Sequence, residues 1–364
     1  MEDARETLVW RAGPRALERL HDRGLTPTDV GAVVLPATGP RWIALAALDR
    51  TMLASGWLAP APGAGRRVLV GASAGAWRAL ALACPDAESA HRELLDGYVG
   101  QVFAPGVRPR EVSDAYRRML AAILTTDRVT ALVARSDVGA VVLTDRARWP
   151  VASSRRLLQW VGLALCAAGN WLTPRLQRAL LSPVAVTSRP DDVPAGFDGP
   201  VAPLRADNAT DVALASGTLP FVMTPVVDPP HLPAGRYLDG GLLDYHLGRR
   251  WTPADAGVTL LLHVGGPVRP GWFDRWRPSR RPPAAVLDDL VVLEPSTRFL
   301  AGLPDGRLPD RQDFFRFADD PAARLRRWRE AVALGDRLAE AFERVSSAEA
   351  IARRVRPLRG HGVA

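Results

Sequence analysis

The sequence has no lysine, so all 47 residues counted as Lys or Arg are arginine. They occur together with 31 glycines, 32 prolines and abundant alanine. This combination is typical of a GC-rich genome, and we do not attribute it to chemistry specific to arginine. With 47% hydrophobic and 24% charged residues, the composition is that of a soluble globular protein. Collagen-like, low-complexity and disordered chains are thereby excluded.

Cysteine is also scarce. Cys84 and Cys166 cannot form a disulfide framework or the paired ligands of a structural zinc site, and the sequence predicts no metal and no cofactor. No apolar run reaches the roughly 18–20 residues of a membrane-spanning helix. The acidic first residues lack the basic and then apolar order of a secretory signal. We therefore expect a cytoplasmic protein, either free in solution or peripheral at the membrane.

The net charge of +8 is confined to two segments. Residues 321–364 hold ten arginines against five acidic residues, residues 271–283 hold four arginines against Asp274, and the rest of the chain sums to zero. Each segment can be read as an ordinary solvated face. In the second segment arginines are interleaved with aromatic residues, which suits an anionic membrane surface, although the rings could instead point inward. These residues are Arg275, Arg277, Arg280 and Arg281 with Trp272, Phe273 and Trp276.

Short apolar runs bounded by turn residues alternate with helical patterns. Residues 30–35 and 67–70 are predicted strands, and residues 76–84 are predicted to form the helix after the second strand. This order is typical of a mostly parallel sheet with helices on both faces. Further strands are predicted at 140–144, 184–188, 258–264 and 286–293, and further helices at 6–25, 43–53, 211–217 and 321–346.

A nucleophile motif lies between the second strand and its helix. Gly71-Ala72-Ser73-Ala74-Gly75 matches G-x-S-x-G in the strand–turn–helix context that a nucleophile elbow requires. In such an elbow the serine hydroxyl projects from a sharp turn, and N–H groups at the start of the helix stabilise a developing oxyanion. The alternative is a tight strand–helix turn that has no catalytic role.

A serine nucleophile needs a base, and the sequence offers two kinds. None of the six histidines lies in a loop with a triad signature, although His246 and His263 remain candidates. The other candidate is Asp239, which follows a short apolar run and precedes Gly240 and Gly241. Glycines there let the backbone pass close to the elbow, but Asp-Gly is also a common turn.

Together these motifs resemble the patatin-like phospholipases, which use a Ser-Asp dyad. Residues 37–42 lie in register with the family's glycine-rich oxyanion loop, and residues 215–220 (Ala-Ser-Gly-Thr-Leu-Pro) resemble the segment that precedes its aspartate. The four blocks occur in the family's order. The chain departs from the family because Gly39 alone remains of the loop glycines and Pro40 has no N–H to donate. We expect a divergent bacterial branch.

The resemblance implies a lipid acyl ester hydrolase of the phospholipase A, lysophospholipase or esterase type that works through an acyl-enzyme. Ser73 would be the nucleophile and Asp239 the base. The implied accessory residues are Thr38, Gly39, Arg41 and Ala74 for the oxyanion, Gly71 and Gly75 in the elbow, and Gly240 and Gly241 in the aspartate turn. Residues 157–172 form an apolar run that is interrupted by Gln159 and Asn170. A run of this length predicts a buried helix more strongly than a cap over an acyl pocket.

The implied fold is a three-layer α/β/α domain with a mixed, mostly parallel sheet and a C-terminal helical extension. We expect an N-terminal helix packed on the core at 1–29, the catalytic domain at 30–250, and further strands, the Arg/Trp loop and an amphipathic helix of the same unit at 251–364. Two other functions stay open. One is a catalytically weak lipid-binding or acyl-transfer protein. The other is a nucleic-acid binder, which is disfavoured because no nucleic-acid-binding motif is present, so no such partner is expected.

Overall fold

The computed structural model describes residues 6–61, 65–246, 248–252, 257–277 and 279–358, and it has the expected α/β fold. Its sheet has eleven strands. These are β1 (Leu8–Ala12), β2 (Val30–Leu35), β3 (Arg67–Ala72), β4 (Val138–Ala147), β5 (Leu181–Thr187), β6 (Val201–Pro203), β7 (Val226–Val227), β8 (Arg236–Asp239), β9 (Val258–Leu262), β10 (Leu290–Pro295) and β11 (Arg356–Pro357).

Helices connect most of these strands and cover the sheet. They are α1 (Pro14–Arg23), α2 (Ala46–Ala54), α3 (Ala74–Ala83), α4 (Ala87–Val99), α5 (Pro109–Ile123), α6 (Thr126–Ala134), α7 (Arg156–Leu172), α8 (Pro174–Leu180), α9 (Ala209–Ser216), α10 (Ala284–Leu287), α11 (Thr297–Ala301), α12 (Asp313–Arg316), α13 (Pro321–Leu334), α14 (Asp336–Val345) and α15 (Ala348–Arg354). Short 3-10 helices occur as well, among them Gly39–Leu45 and Trp272–Trp276.

The sheet is mixed and mostly parallel, as expected. Its order is β11-β1-β10-β9-β2-β3-β4-β5-β6, with β8 paired to β4 and β7 to β8. Six of the ten pairings among the described residues are parallel. Alternate residues of the central strands enter separate apolar clusters, Val33 and Leu69 in one, Val34 and Val70 in the other. The sheet is therefore buried on both faces, consistent with three layers.

The helix predicted over residues 6–25 is wrong in its first half. Leu8–Ala12 form strand β1, which pairs antiparallel with β10, and all five residues are buried. A strand buried on both faces has no alternation of polar and apolar residues, so its pattern does not distinguish it from a helix. Pro14 then begins α1 instead of kinking a longer helix, because the first turn of a helix needs no N–H there.

The predicted helix at 321–346 is also interrupted. Gly335 separates α13 from α14, and a Cβ on this residue would lie 2.5 Å from the carbonyl oxygen of Ala44. The break therefore comes from close packing of the helix on the 3-10 segment Gly39–Leu45. That segment precedes α2, so the helix predicted over 43–53 begins as a 3-10 helix.

The most apolar helix is not buried as predicted. Helix α7 buries Gln159, Gly162 and Asn170 and exposes several of its large apolar side chains. A Cβ on Gly162 would lie 2.5 Å from the backbone nitrogen of Val151, so glycine is needed on the packed face. Among the described helices, none has both the length and the apolar character needed to cross a membrane.

The junction between β1 and α1 provides a test of this fold. A Cβ on Gly13 would lie 1.7 Å from the carbonyl oxygen of Leu287, so we expect Gly13→Ala to reduce the free energy of unfolding by about 1–3 kcal/mol. Urea unfolding followed by circular dichroism measures this change. Gly196→Ala is the control, because no atom lies within 4 Å of its Cβ position. Equal stability of the two variants would contradict the close packing of Gly13 against Leu287.

Candidate active site

Ser73 lies in a strained turn between β3 and α3. Its backbone has φ 57° and ψ −134°, a conformation that residues with a side chain rarely adopt. The glycines on either side are required by close contacts. A Cβ on Gly71 would lie 2.3 Å from the carbonyl oxygen of Gly75, and one on Gly75 would lie 1.9 Å from that of Leu35. The G-x-S-x-G sequence thus allows strand, turn and helix to approach closely enough to form the elbow.

The side chain of Ser73 contacts Asp239. Its Oγ donates a hydrogen bond to Asp239 Oδ2 at 2.6 Å, and the N–H of Gly241 donates to Asp239 Oδ1 at 2.7 Å. Both side chains are buried, with Ser73 8% and Asp239 3% exposed. Gly240 has to be glycine, because a Cβ there would lie 2.1 Å from the carbonyl oxygen of Leu143. The aspartate turn therefore packs directly against β4.

The register of β4 explains why these residues meet. Strand β3 pairs in parallel with the first part of β4, up to the pair Ala72 and Leu143. Strand β8 pairs antiparallel with the second part of β4, ending at the pair Asp239 and Thr144. Strand β5 occupies the other edge of β4. Two strands that run in opposite directions along one edge of β4 thus end next to each other, with Ser73 after one and Asp239 at the end of the other.

The segment 215–220 positions both residues through its backbone and one hydroxyl. Ser216 Oγ accepts a hydrogen bond from the N–H of Ser73 at 2.9 Å and donates one to the carbonyl oxygen of Leu143 at 2.6 Å. The N–H of Asp239 donates to the carbonyl oxygen of Thr218 at 2.9 Å. Ser216 therefore connects the elbow to β4, and Thr218 holds the end of β8.

Burial raises the pKa of Asp239 from its ordinary value of 3.8 to about 6. The hydrogen bonds from Ser73 and Gly241 and the positive charge of Arg311 act in the opposite direction. The carboxylate is therefore ionised at neutral pH and can accept a proton. Sequence reasoning missed Arg311, since no motif connects this distant residue to the aspartate turn.

A second carboxyl group near Asp239 was also missed. Asp145 on β4 is buried opposite Leu238, and its Oδ2 accepts a hydrogen bond from the N–H of Leu243 at 3.0 Å. Burial, reinforced by the charges of Asp244 and Asp239, raises the pKa of Asp145 well above its ordinary value. The raised pKa favours the protonated form of Asp145, which places no negative charge beside Asp239. The sequence signal was a polar residue directly after the predicted strand 140–144.

The loop 37–42 packs against the aspartate turn, and a Cβ on Gly241 would lie 2.6 Å from the Cβ of Ala37. Gly39 has φ +54°, which favours glycine. The N–H of Thr38 donates to the carbonyl oxygen of Pro36 at 2.9 Å and is thereby occupied. The buried hydroxyl of Thr38, in contrast, has no hydrogen-bond partner among the described residues. Arg41 donates to Asp310 Oδ2 at 3.0 Å.

Gly39 and Ala74 each occupy the first position of a helix, Gly39 in the 3-10 helix and Ala74 in α3. N–H groups at this position have no acceptor within their own helix, and the helix dipole is positive there. The two remaining N–H candidates for an oxyanion site are therefore those of Gly39 and Ala74.

The two histidine candidates form a separate buried network. His246 Nδ1 lies 3.1 Å from His263 Nε2, and His263 Nδ1 lies 3.2 Å from Glu294 Oε2. Burial lowers the pKa of His246 well below its ordinary value. Neither histidine is a hydrogen-bond partner of Ser73 in the described part of the chain. His361, the last of the six histidines, lies outside the described residues.

The four arginines of segment 271–283 have different surroundings. Arg277 and Arg280 donate to the carbonyl oxygen of Asn170 at 2.8 and 3.0 Å, so both bind the last turn of α7. Arg275 and Arg281 are exposed, and the guanidinium of Arg275 lies 4.6 Å from the centre of the Trp272 ring. Of the aromatic residues, Phe273 points inward while Trp276 is 48% exposed.

Comparisons with known proteins provide little beyond this geometry. No profile of a known family and no curated protein matches the sequence. The solved structure of VipD from Legionella pneumophila is weakly similar, with a TM-score of 0.34 and 13% identity. The match covers 76% of this chain and 56% of the VipD chain, so this chain spans little more than half of that protein. Function therefore has to be inferred from the site itself.

The buried carboxylate predicts a pH-dependent effect on stability. Between about pH 4 and 6 the folded protein retains a proton on Asp239 that the unfolded chain has released, so ionisation of this group reduces stability as the pH rises. Asp239→Asn removes that cost. Urea unfolding measures this effect. We expect Asp239→Asn to raise the free energy of unfolding, relative to the unsubstituted protein, by on the order of 2 kcal/mol more at about pH 8 than at about pH 4.5. The same difference at both pH values would show that Asp239 is not a buried carboxylate of raised pKa.

Proposed function

We propose that the protein is a lipid acyl ester hydrolase in which Ser73 is the nucleophile and Asp239 the base. The 2.6 Å hydrogen bond from Ser73 Oγ to the Asp239 carboxylate is the observation that carries this proposal. It pairs a nucleophile with a base within hydrogen-bond reach, in a turn that is strained in the manner of an elbow. The raised pKa of Asp239 supports the role of base, because a base works best when its pKa lies near the working pH.

In the first step Asp239 accepts the Ser73 proton while Oγ attacks the acyl carbonyl carbon. The tetrahedral intermediate then expels the alcohol, which takes the proton from Asp239, and an acyl-enzyme remains. In the second step a water molecule attacks the acyl carbon through its oxygen, and Asp239 accepts a proton from that water. Collapse of this intermediate releases the fatty acid and returns the proton to Ser73.

For the oxyanion we propose three donors, the N–H groups of Gly39 and Ala74 and the hydroxyl of Thr38. The hydroxyl is included because it is buried without a partner, and an unpartnered buried group is costly unless a ligand satisfies it. Arg41 has a supporting role, since its ion pair with Asp310 ties the loop 37–42 to the segment before α12.

Positive charge near the site favours an acyl ester with an anionic head group, such as a phospholipid or lysophospholipid. Partial desolvation lowers the pKa of Arg275, and the charges of Arg311, Arg269 and Arg41 add to this shift, so each of these three guanidinium groups lies within electrostatic range of Arg275. Arg311 acts on Asp239 as well. Guanidinium groups bind phosphate oxygens through charge-assisted hydrogen bonds.

One observation favours a second candidate, a lipid-binding or acyl-transfer protein with weak hydrolysis. Pro40 has no N–H and the N–H of Thr38 is occupied, so the loop 37–42 offers fewer backbone donors than a glycine-rich loop would. An assay that supplies both water and an alcohol acceptor to an acylated Ser73 distinguishes transfer from hydrolysis by the product that accumulates.

Labelling with a fluorophosphonate probe tests the nucleophile. We expect the intact protein to be labelled at Ser73, as located by mass spectrometry, and Ser73→Ala and Asp239→Asn to lose both labelling and ester hydrolysis. Ser55→Ala, a change at an exposed serine, should behave like the unsubstituted protein. Equal labelling of Ser73→Ala would contradict the proposed mechanism, and so would an absence of labelling in the intact protein.

Thr38→Val tests the hydroxyl in the loop 37–42. The substitution keeps the shape and removes one donor, so we expect kcat on a short-chain ester to fall about 10²-fold with little change in KM, because an oxyanion donor acts mainly in the transition state. Thr28→Val, at an exposed threonine, is the matched control. If Thr38→Val folds normally and retains full kcat, its hydroxyl takes no part in the reaction.

A further inference from the structure

Helix α7 has its polar and apolar faces reversed relative to an ordinary surface helix. The exposed positions recur with helical spacing, and eight of the nine between 156 and 172 are apolar. They are Arg156, Leu157, Trp160, Val161, Ala164, Leu165, Ala168, Trp171 and Leu172. Leu157 is 75% and Leu172 79% exposed. The face that packs on the protein carries both amide side chains and two glycines beside two apolar residues, namely Gln159, Asn170, Gly162, Gly169, Leu163 and Cys166.

This reversed orientation is held by specific contacts. Asn170 Nδ2 donates to Asp274 Oδ1 at 2.8 Å, and Gln159 Oε1 accepts from the N–H of Phe221 at 3.1 Å. A Cβ on Gly169 would lie 2.8 Å from the backbone nitrogen of Gln177, so this glycine permits α8 to pack closely. Turning the helix by half a turn would break these hydrogen bonds and place larger side chains against both neighbours. The apolar face is therefore a stable part of the surface.

Exposed apolar side chains extend beyond the helix. Trp149, Leu176 on α8, and Trp276 are at least 37% exposed, and Arg277, which binds the end of α7, lies 5.0 Å from the centre of the Trp171 ring. We call this surface, formed by α7, α8, Trp149 and Trp276, the apolar face. Soluble monomers rarely expose contiguous apolar areas of this kind unless they bind something.

The chain segment that carries α7, α8 and Trp149 has charges of one sign only. Residues 146–190 contain no acidic residue and seven arginines, namely Arg146, Arg148, Arg155, Arg156, Arg175, Arg178 and Arg189. Among the described contacts, Arg178 is the one of these seven that pairs with a carboxylate, that of Asp198. In the basic C-terminal segment, by contrast, Arg327, Arg344 and Arg353 each pair with an acidic side chain. Residues 359–364 of that segment lie outside the described chain.

We propose that the apolar face is a docking surface for a bilayer containing anionic lipids, with α7 lying in the plane of the interface. Leucine and tryptophan side chains that insert below the head groups, together with arginines that reach the phosphates, are the combination that holds a helix at such an interface. A second copy of this chain is disfavoured as the partner, because the arginines of the two copies would repel each other. The surface would act independently of ester hydrolysis.

The apolar face adjoins the candidate active site. Leu163 of α7 shares an apolar cluster with Leu238 and Leu242, which lie on either side of Asp239 in the sequence. The Trp160 ring stacks on Phe221 with centroids 5.3 Å apart, directly after the segment 215–220. A bilayer bound to α7 would therefore lie beside the site and bring lipid esters close to it.

Vesicle sedimentation tests the docking surface. We expect the intact protein to bind phosphatidylcholine vesicles that contain about 30% phosphatidylglycerol and not to bind pure phosphatidylcholine vesicles. Leu157→Gln, Leu165→Gln and Leu172→Gln combined should weaken binding roughly tenfold or more, since the apolar insertion is lost. Val102→Gln with Phe315→Gln, which changes exposed apolar residues elsewhere, should bind like the intact protein.

Charge is tested in the same assay by a matched pair of variants. Arg155→Gln, Arg156→Gln and Arg175→Gln combined should lose binding to anionic vesicles, whereas Arg326→Gln, Arg329→Gln and Arg337→Gln in α13 and α14 should retain it. Circular dichroism confirms that each variant is folded. Ser73→Ala should bind as tightly as the intact protein, so a failure of hydrolysis and a failure of docking are distinguishable.

Three results would overturn the docking surface. One is tight binding by the leucine variant, and another is equal binding of the intact protein to neutral and anionic vesicles. The third is a dimer in lipid-free buffer that the leucine variant converts to a monomer, which would make the apolar face a contact between two copies of the chain.

Discussion

The hydrogen bond between Ser73 and Asp239 depends on a single strand, β4. Strands β3 and β8 occupy one edge of β4 and end at its neighbouring residues Leu143 and Thr144. Since the side-chain direction alternates along a strand, a shift of β8 by one residue would turn Asp239 away from the elbow. The close contact of Gly240 with Leu143 and the link from Ser216 to the same carbonyl group hold this register in place.

The site concentrates unfavourable conformations that the surrounding core has to stabilise. Ser73 has a positive φ, Asp239 is an ionisable group buried among apolar residues, and Thr38 has a buried hydroxyl without a partner. Each of these costs free energy in the folded protein. They persist because β2, β3 and β4 are buried on both faces of the sheet and cannot relax locally. Such unfavourable features are found mostly at sites that bind or react.

Local patterns were sufficient to predict most of the regular structure near the site. Strands β2 and β3 and helix α3 lie where the apolar runs and the turn residues predicted them. Patterns of polar and apolar residues gave wrong predictions where the buried residues were not simply the apolar ones of a regular pattern. Strand β1 is buried on both faces and has a pattern that also fits a helix. Helix α7 buries two glycines and two amide side chains and leaves most of its large apolar side chains exposed. Periodicity identifies the apolar face of a helix, but the neighbouring segments decide which face is covered.

From the sequence alone one can identify the elbow around Ser73, the Asp239 turn and the α/β fold class, because each depends on residues close together in the chain. The tertiary structure decided that Ser73 is hydrogen-bonded to Asp239, that the Thr38 N–H is occupied, and that the charge of Arg311 acts on Asp239. It also decided that the acid-free segment 146–190 surrounds an exposed apolar helix. These features depend on sheet register and on contacts between distant segments, and short-range sequence patterns carry no information about either.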